Sequence, residues 1–137
     1  MILKNGRVLT DRFAFEETDL VIEDGIIASV GKTSLPGKDL NGAFVVPGLI
    51  DIHTHGSAGY DHLDADPDGT DLMRRFYASH GTTGILAAVM TAPKETMLRA
   101  VKNASEPHRG SGATVFGIYL EGPFFSPLHN GAQHPDA

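Results

Sequence analysis

Over the first 45 or so positions the apolar residues come in short runs broken by turn formers. Ile2-Leu3 and Val8-Leu9 flank Asn5-Gly6, a turn dipeptide. Asp19-Leu20-Val21-Ile22-Glu23 and Ile26-Ile27-Ala28-Ser29-Val30 are separated by Asp24-Gly25, the preferred pair for a type I′ hairpin turn. Pro36-Gly37 and Asn41-Gly42 mark two more turns. The pattern predicts a small antiparallel sheet.

From Phe44 the pattern changes. Phe44-Val45-Val46 runs into Pro47-Gly48, and Leu49-Ile50-Asp51-Ile52-His53 reads as a buried strand. A loop rich in glycine and aspartate follows, from Gly56 to Asp71. The segment from Asp71 to His80 reads as a helix with Leu72, Met73, Phe76 and Tyr77 on one side and Gly81 as its stop. Ile85-Leu86-Ala87-Ala88-Val89-Met90 is all apolar, as in a parallel strand covered on both faces. Pro93 fits the first turn of a second helix, with Met97, Leu98 and Val101 inward and an end near Glu106-Pro107. Val115-Phe116-Gly117-Ile118-Tyr119-Leu120 is a third expected buried strand. Leu72, Phe76, Met97 and Leu98 are expected in the core.

Strand starts near 49, 85 and 115 recur at the spacing of βαβ units. Such units build a parallel sheet, either doubly wound or closed into a (β/α)8 barrel. Gly56 and Gly59 do not make a dinucleotide fingerprint, which argues against a Rossmann fold. The expected fold class is α/β, either another doubly wound sheet or, the preferred reading, a partial (β/α)8 TIM barrel with its first three strands, preceded by part of a small β-rich domain. The expected boundaries are 1–45 for the β-rich part and 46–137 for the start of the barrel. A closed barrel needs about 250 residues. Because so few follow the β-rich start, the expectation is a fragment of a larger protein.

Composition narrows the function. The chain has 137 residues, of which 11 are basic and 17 acidic, for a formal charge of −6. That balance argues against nucleic-acid binding, which uses a basic face. No apolar run is long enough to span a membrane. The start, MILKNGRVLT, lacks the apolar region of a secretory signal, so the expected location is cytoplasmic. With no cysteine, disulfides and thiolate metal sites are excluded, and histidine and carboxylate chemistry remains.

His53 and His55 form an H-x-H pair at the end of the first barrel-type strand. Residues two apart on a strand share a face, so two imidazoles can converge on one ion. Alone, such a pair is more often a polar strand end with hydrogen-bonded histidines than a metal site. Glu121, directly after the third strand, tips the reading toward metal, because catalytic groups of barrels sit at the carboxyl ends of strands. Asp51 shares the parity of both histidines and is read either as orienting an imidazole or as a buried carboxylate bonded to backbone. The acidic loop with Asp61, His62, Asp64, Asp66 and Asp68 lacks the EF-hand pattern and is read as solvated. His80 sits at a helix end, where the dipole favours a cation. His108 is placed on the surface, and Gly81-Thr82-Thr83-Gly84 is a plain connection. The stretch from Glu121 to His134 reads as a substrate-type loop.

At these residues the chain resembles a known family. VVPGLIDIHTHGSAGYD is similar to the metal-binding opening of the amidohydrolase superfamily. IYLEGPFFSPLHNGAQ resembles the glutamate-bearing motif of N-acetylglucosamine-6-phosphate deacetylases. NGRVLT and VIEDGIIASVG are similar to the small β-sandwich domain that precedes those barrels. The resemblance covers nearly all of the chain but only about a third of such an enzyme. It implies hydrolysis of N-acetylglucosamine 6-phosphate to glucosamine 6-phosphate and acetate. It implies His53, His55 and Glu121 as ligands of one or two divalent ions, zinc or else iron, and a main-chain contact of Ala132 with substrate. The acid that protonates the departing amine would be an aspartate on a late strand, beyond residue 137, so this stretch should be inactive alone. The complete protein would be a homodimer. Two other readings are another amidohydrolase, of D-aminoacylase, dihydroorotase or deaminase type, and a short non-catalytic assembly module.

Overall fold

The computed structural model describes residues 1–64, 66–108 and 110–133. The chain parts into two compact units, Met1–Pro47 and Gly48–Ala137.

The first unit is built around β1 (Ile2–Leu9). It pairs antiparallel with β2 (Phe15–Glu23), which pairs antiparallel with β3 (Ile26–Val30). Asp24 and Gly25 have φ of 52° and 79°, the left-handed pair that a type I′ turn requires, so this hairpin forms as its sequence predicts. The expected wholly antiparallel sheet is corrected. Two short strands, β4 (Lys38–Asp39) and β5 (Phe44–Val45), add to β1 in parallel, giving a mixed five-stranded sheet.

Asn5-Gly6 is also corrected: it is a bulge inside β1, where the register shifts between Leu3 and Gly6 and Asn5 has φ of 54°. The reason is a buried carboxylate. Asp19 Oδ1 accepts the Asn5 backbone N–H at 2.9 Å and Oδ2 accepts that of Thr33 at 2.9 Å. The amide freed by the bulge thus gains a charged acceptor. These two backbone bonds hold the Asp19 carboxyl below its ordinary pKa, with help from Lys32 and Lys4.

The second unit alternates strand and helix. β6 (Leu49–Thr54) leads into a small hairpin of β7 (Gly56–Ser57) and β8 (Tyr60–Asp61), then α1 (Pro67–Ser79), β9 (Thr82–Val89), α2 (Lys94–Ser105) and β10 (Thr114–Leu120). The larger sheet is parallel in the order β10-β9-β6. Helix α1 begins four residues earlier than expected. Asp66 caps it, its carboxylate accepting the Gly69 N–H at 2.7 Å, and Pro67 fits the first turn.

Only the middle strand is buried as its apolar run predicts: Ile85, Ala87, Ala88 and Val89 are inaccessible to solvent. The expected burial of 49–53 and 115–120 is corrected. Leu49, Ile50, Ile52, Phe116, Tyr119 and Leu120 are all exposed, because β6 and β10 are the edges of this sheet. The helix faces differ likewise. Helix α1 buries Gly69, Thr70, Met73 and Arg74, and α2 buries Met97, Ala100 and Ala104. Leu72, Phe76 and Leu98 are exposed, on stripes beside those faces. Gly69 lets the Tyr60 ring pack against α1, since a Cβ there would stand 2.5 Å from it, and the core centres on Val89, Met97 and Ala100.

Candidate metal centre

The site lies at the carboxyl ends of the parallel strands. Residues His53 and His55 come from the end of β6, and Glu121 follows β10 directly, its N–H donating to Val89 O at 2.9 Å. The pairing of β6 with β9 runs Asp51 to Ile85 and resumes at Thr54 with Ala87, so β6 holds one extra residue there. This bulge breaks the parity that tied Asp51 to the histidines. Asp51 is half-buried, not buried, and its Oδ1 accepts the His53 backbone N–H at 3.0 Å. Between the ligand candidates, Thr54 turns inward; its hydroxyl is hydrogen-bonded to that of Tyr77 on α1, pinning the strand end.

Three donor atoms converge. Glu121 Oε2 lies 3.1 Å from His55 Nε2 and 3.5 Å from His53 Nε2, and the two imidazole nitrogens are 3.3 Å apart. Zinc held at about 2.0–2.1 Å by a tetrahedral ligand set spaces its donors about 3.3 Å apart. The triangle in this protein has that size. Glu121 Oε2 is buried and makes no hydrogen bond, although both nitrogens approach it. A buried carboxylate oxygen without a hydrogen-bond partner, beside two imidazole nitrogens, fits a cation. Among the described residues, this trio is the group of histidines and carboxylates that can hold a metal ion. The His53 ring also packs on Tyr119, centroids 4.7 Å apart, which fixes its tilt.

Other sequence candidates fall elsewhere. Ala132 is exposed in a turn after Gly131, and His134 lies outside the described residues. His62, expected in a solvated loop, is instead buried. Its backbone N–H donates to His55 O at 2.7 Å, and burial lowers its pKa below the ordinary value. His108 is half-buried rather than on the surface: its Nε2 lies 3.3 Å from Ala104 O. At the end of α1, His80 places its Nδ1 2.9 Å from Phe76 O, as a helix terminus favours. Sequence reasoning missed Thr91 and Gln133, both buried behind Glu121. The signal available was a polar pair bracketing the glutamate loop, which composition alone does not distinguish from ordinary loop residues.

A parallel β/α sheet whose first strand ends in H-x-H, facing a carboxylate from a later strand end, resembles the layout of amidohydrolases. No family model matches the chain. The chain is 34% identical over 137 residues to an N-acetylgalactosamine-6-phosphate deacetylase of Escherichia coli O157:H7, covering 98% of this chain and 36% of that protein. It is 38% identical over 121 residues to an N-acetylglucosamine-6-phosphate deacetylase of Vibrio furnissii, covering 84% of this chain and 30% of the relative. A crystal structure of the N-acetyl-D-glucosamine-6-phosphate deacetylase of Mycobacterium smegmatis superposes with a TM-score of 0.81 at 32% identity, over 99% of this chain and 36% of that one. The likeness to the N-acetylglucosamine-6-phosphate deacetylase family, read from the motifs, thus holds along essentially the whole chain. The chain spans about a third of the length of the curated relatives it matches. Among the described residues, no helix is long and apolar enough to cross a membrane.

Proposed function

We propose that this chain supplies the opening strands and part of the metal site of a hydrolase that removes the acetyl group from an N-acetylated amino sugar phosphate. The observation that carries this reading is the triangle of His53 Nε2, His55 Nε2 and Glu121 Oε2, with sides of 3.1, 3.3 and 3.5 Å. These three side chains would hold a divalent ion, zinc or else iron, as one ion or as part of a two-ion site. When bound, such an ion lowers the pKa of water toward about 7 and polarises an amide carbonyl. His53 and His55 would contribute imidazole donors, and Glu121 a carboxylate. The Ala132 main chain would contact the sugar phosphate.

In the same reading, 1–45 is part of a small β-sandwich domain and 46–137 opens a (β/α)8 barrel. Three parallel strands joined through helices, with chemistry at their carboxyl ends, support that arrangement. The complete enzyme would be a homodimer, and the proton donor to the departing amine would lie outside this stretch.

The substrate class draws support from a variant of the Mycobacterium smegmatis enzyme crystallised with N-acetyl-D-glucosamine-6-phosphate, 32% identical to this chain. A second reading has its own support: a D-hydantoinase structure matches at 33% identity and a TM-score of 0.50 over 74% of this chain. The test uses the protein at its full natural length and follows acetate release from both N-acetylhexosamine 6-phosphate epimers, and ring opening of a cyclic amide by absorbance. The deacetylase reading expects release from an N-acetylhexosamine 6-phosphate, lost on chelation and on Glu121→Gln. Activity that survives both treatments refutes the metal assignment, and turnover of the cyclic amide alone favours the second reading.

A further inference from the structure

Behind the metal trio, the loop that carries Glu121 is fastened at one buried point. Thr91 lies just past the end of β9. Its hydroxyl donates to Glu121 O at 2.7 Å, and its backbone N–H donates to Gln133 Oε1 at 3.0 Å. Both side chains are buried. Gln133 is held in turn by Asn130. The Asn130 Nδ2 donates to Gln133 O at 2.6 Å, and the Gln133 N–H donates to Asn130 O at 3.0 Å. The fit at Gly122 is tight: a Cβ there would stand 1.9 Å from Thr91 Oγ1, and its φ of +104° is closed to other residues. One threonine therefore bonds the residue bearing the carboxylate, and through Gln133 it bonds the turn bearing Ala132.

We propose that Thr91 and Gln133 form a positioning clamp, which sets the Glu121 carboxylate against the two imidazoles and ties the Ala132 turn to the same point. The inference rests on the metal reading above and adds two residues to it. A buried hydroxyl on a main-chain carbonyl fixes where the attached side chain starts; partners bonded directly to a ligating group commonly change metal affinity 10–100-fold when removed, and Thr91, one step further out, should act at the lower end of that range. Because both loop ends meet at Thr91, metal binding and substrate binding should weaken together when it is altered.

The test uses the protein at its full natural length, with Zn2+ titrated by chelator competition and Co2+ as a spectroscopic probe of coordination. Thr91→Val removes the hydroxyl at constant shape and should weaken Zn2+ binding about 10-fold. It should also shift the Co2+ visible bands and raise KM for N-acetylglucosamine 6-phosphate. Thr91→Ser restores the hydroxyl and should return all three readouts. A purely structural role would lower the urea midpoint and leave Zn2+ affinity and the Co2+ spectrum of the folded protein unchanged; that result overturns the clamp. If Thr91→Val does not fold, Gln133→Met decides. It should raise KM several-fold and weaken Zn2+ binding, and unchanged values for both overturn the proposal. Failure of the unaltered protein to bind Zn2+ or Co2+ would instead refute the metal reading itself.

Discussion

The strand end that carries both histidines should be held by the hydrogen bond between Thr54 and Tyr77, and a double-mutant cycle can weigh it. Thr54 sits between His53 and His55, is 9% exposed, and shares its hydroxyl with that of Tyr77 on α1. Thr54→Val keeps the shape and leaves the Tyr77 hydroxyl without its partner. Stranding a buried polar group costs about 1–3 kcal/mol. Tyr77 is only half-buried, so water can reach it and the lower end applies, about 1 kcal/mol. Tyr77→Phe strands the more deeply buried Thr54 hydroxyl and should cost about 2 kcal/mol. Removing both groups leaves nothing stranded, so the double variant should lose about 1 kcal/mol, the net worth of one ordinary hydrogen bond. The coupling is then about 2 kcal/mol, well above the few tenths seen for independent sites. Urea unfolding followed by far-UV circular dichroism measures all four proteins. Costs that simply add would refute the claim that this bond anchors the site.

Three further outcomes follow from the same structure. Met73 is fully buried on α1, so Met73→Ala should lower unfolding free energy by about 2–5 kcal/mol, read from urea midpoints. The Asp19 carboxyl is held low by backbone bonds to Asn5 and Thr33, so the folded state binds its proton more weakly than the unfolded chain does. Its contribution is present above the ordinary carboxyl value of 3.8 and is lost as pH falls through the lowered folded value, so Asp19→Asn should flatten the acid limb of a stability–pH curve. Saturating Zn2+ at about 100 times its dissociation constant should stabilise the protein by about 2.7 kcal/mol, an effect that Glu121→Gln removes in thermal melts.

The sequence was most legible where one local rule decided the outcome. Asp24-Gly25 specified its hairpin because both residues tolerate the left-handed backbone that the turn demands. The apolar run 85–90 specified a central strand: β9 pairs on both edges and packs against α1 and α2, and Ile85, Ala87, Ala88 and Val89 are buried. Asn5-Gly6 misled for a physical reason. The same tolerance serves a turn or a bulge, and only Asp19, fourteen residues away, decides between them by accepting the freed amide. The runs at 49–53 and 115–120 misled differently. Their composition fits strands covered on both faces, but composition does not say whether neighbours are present to cover them.

For the site, residue types and strand-end positions picked out three side chains that the structure brings together, although the parity argument behind the histidines was incomplete. An extra residue in β6 breaks the alternation between Asp51 and Thr54, and the two imidazoles still converge, because the spacing across Thr54 survives. That survival depends on Thr54 facing inward to Tyr77, a contact between residues 23 positions apart that no strand pattern encodes. The carboxylate side works the same way. Glu121 is visible as a charge at a strand end, whereas the bond that fixes its main chain comes from Thr91, 30 positions earlier. The three candidate donors are thus visible locally, in H-x-H and in the glutamate after an apolar strand. Their convergence depends on long-range hydrogen bonds from hydroxyls that look unremarkable in the chain, so the strongest tests of the proposed site are substitutions at Thr54 and Thr91 rather than at the candidate donors.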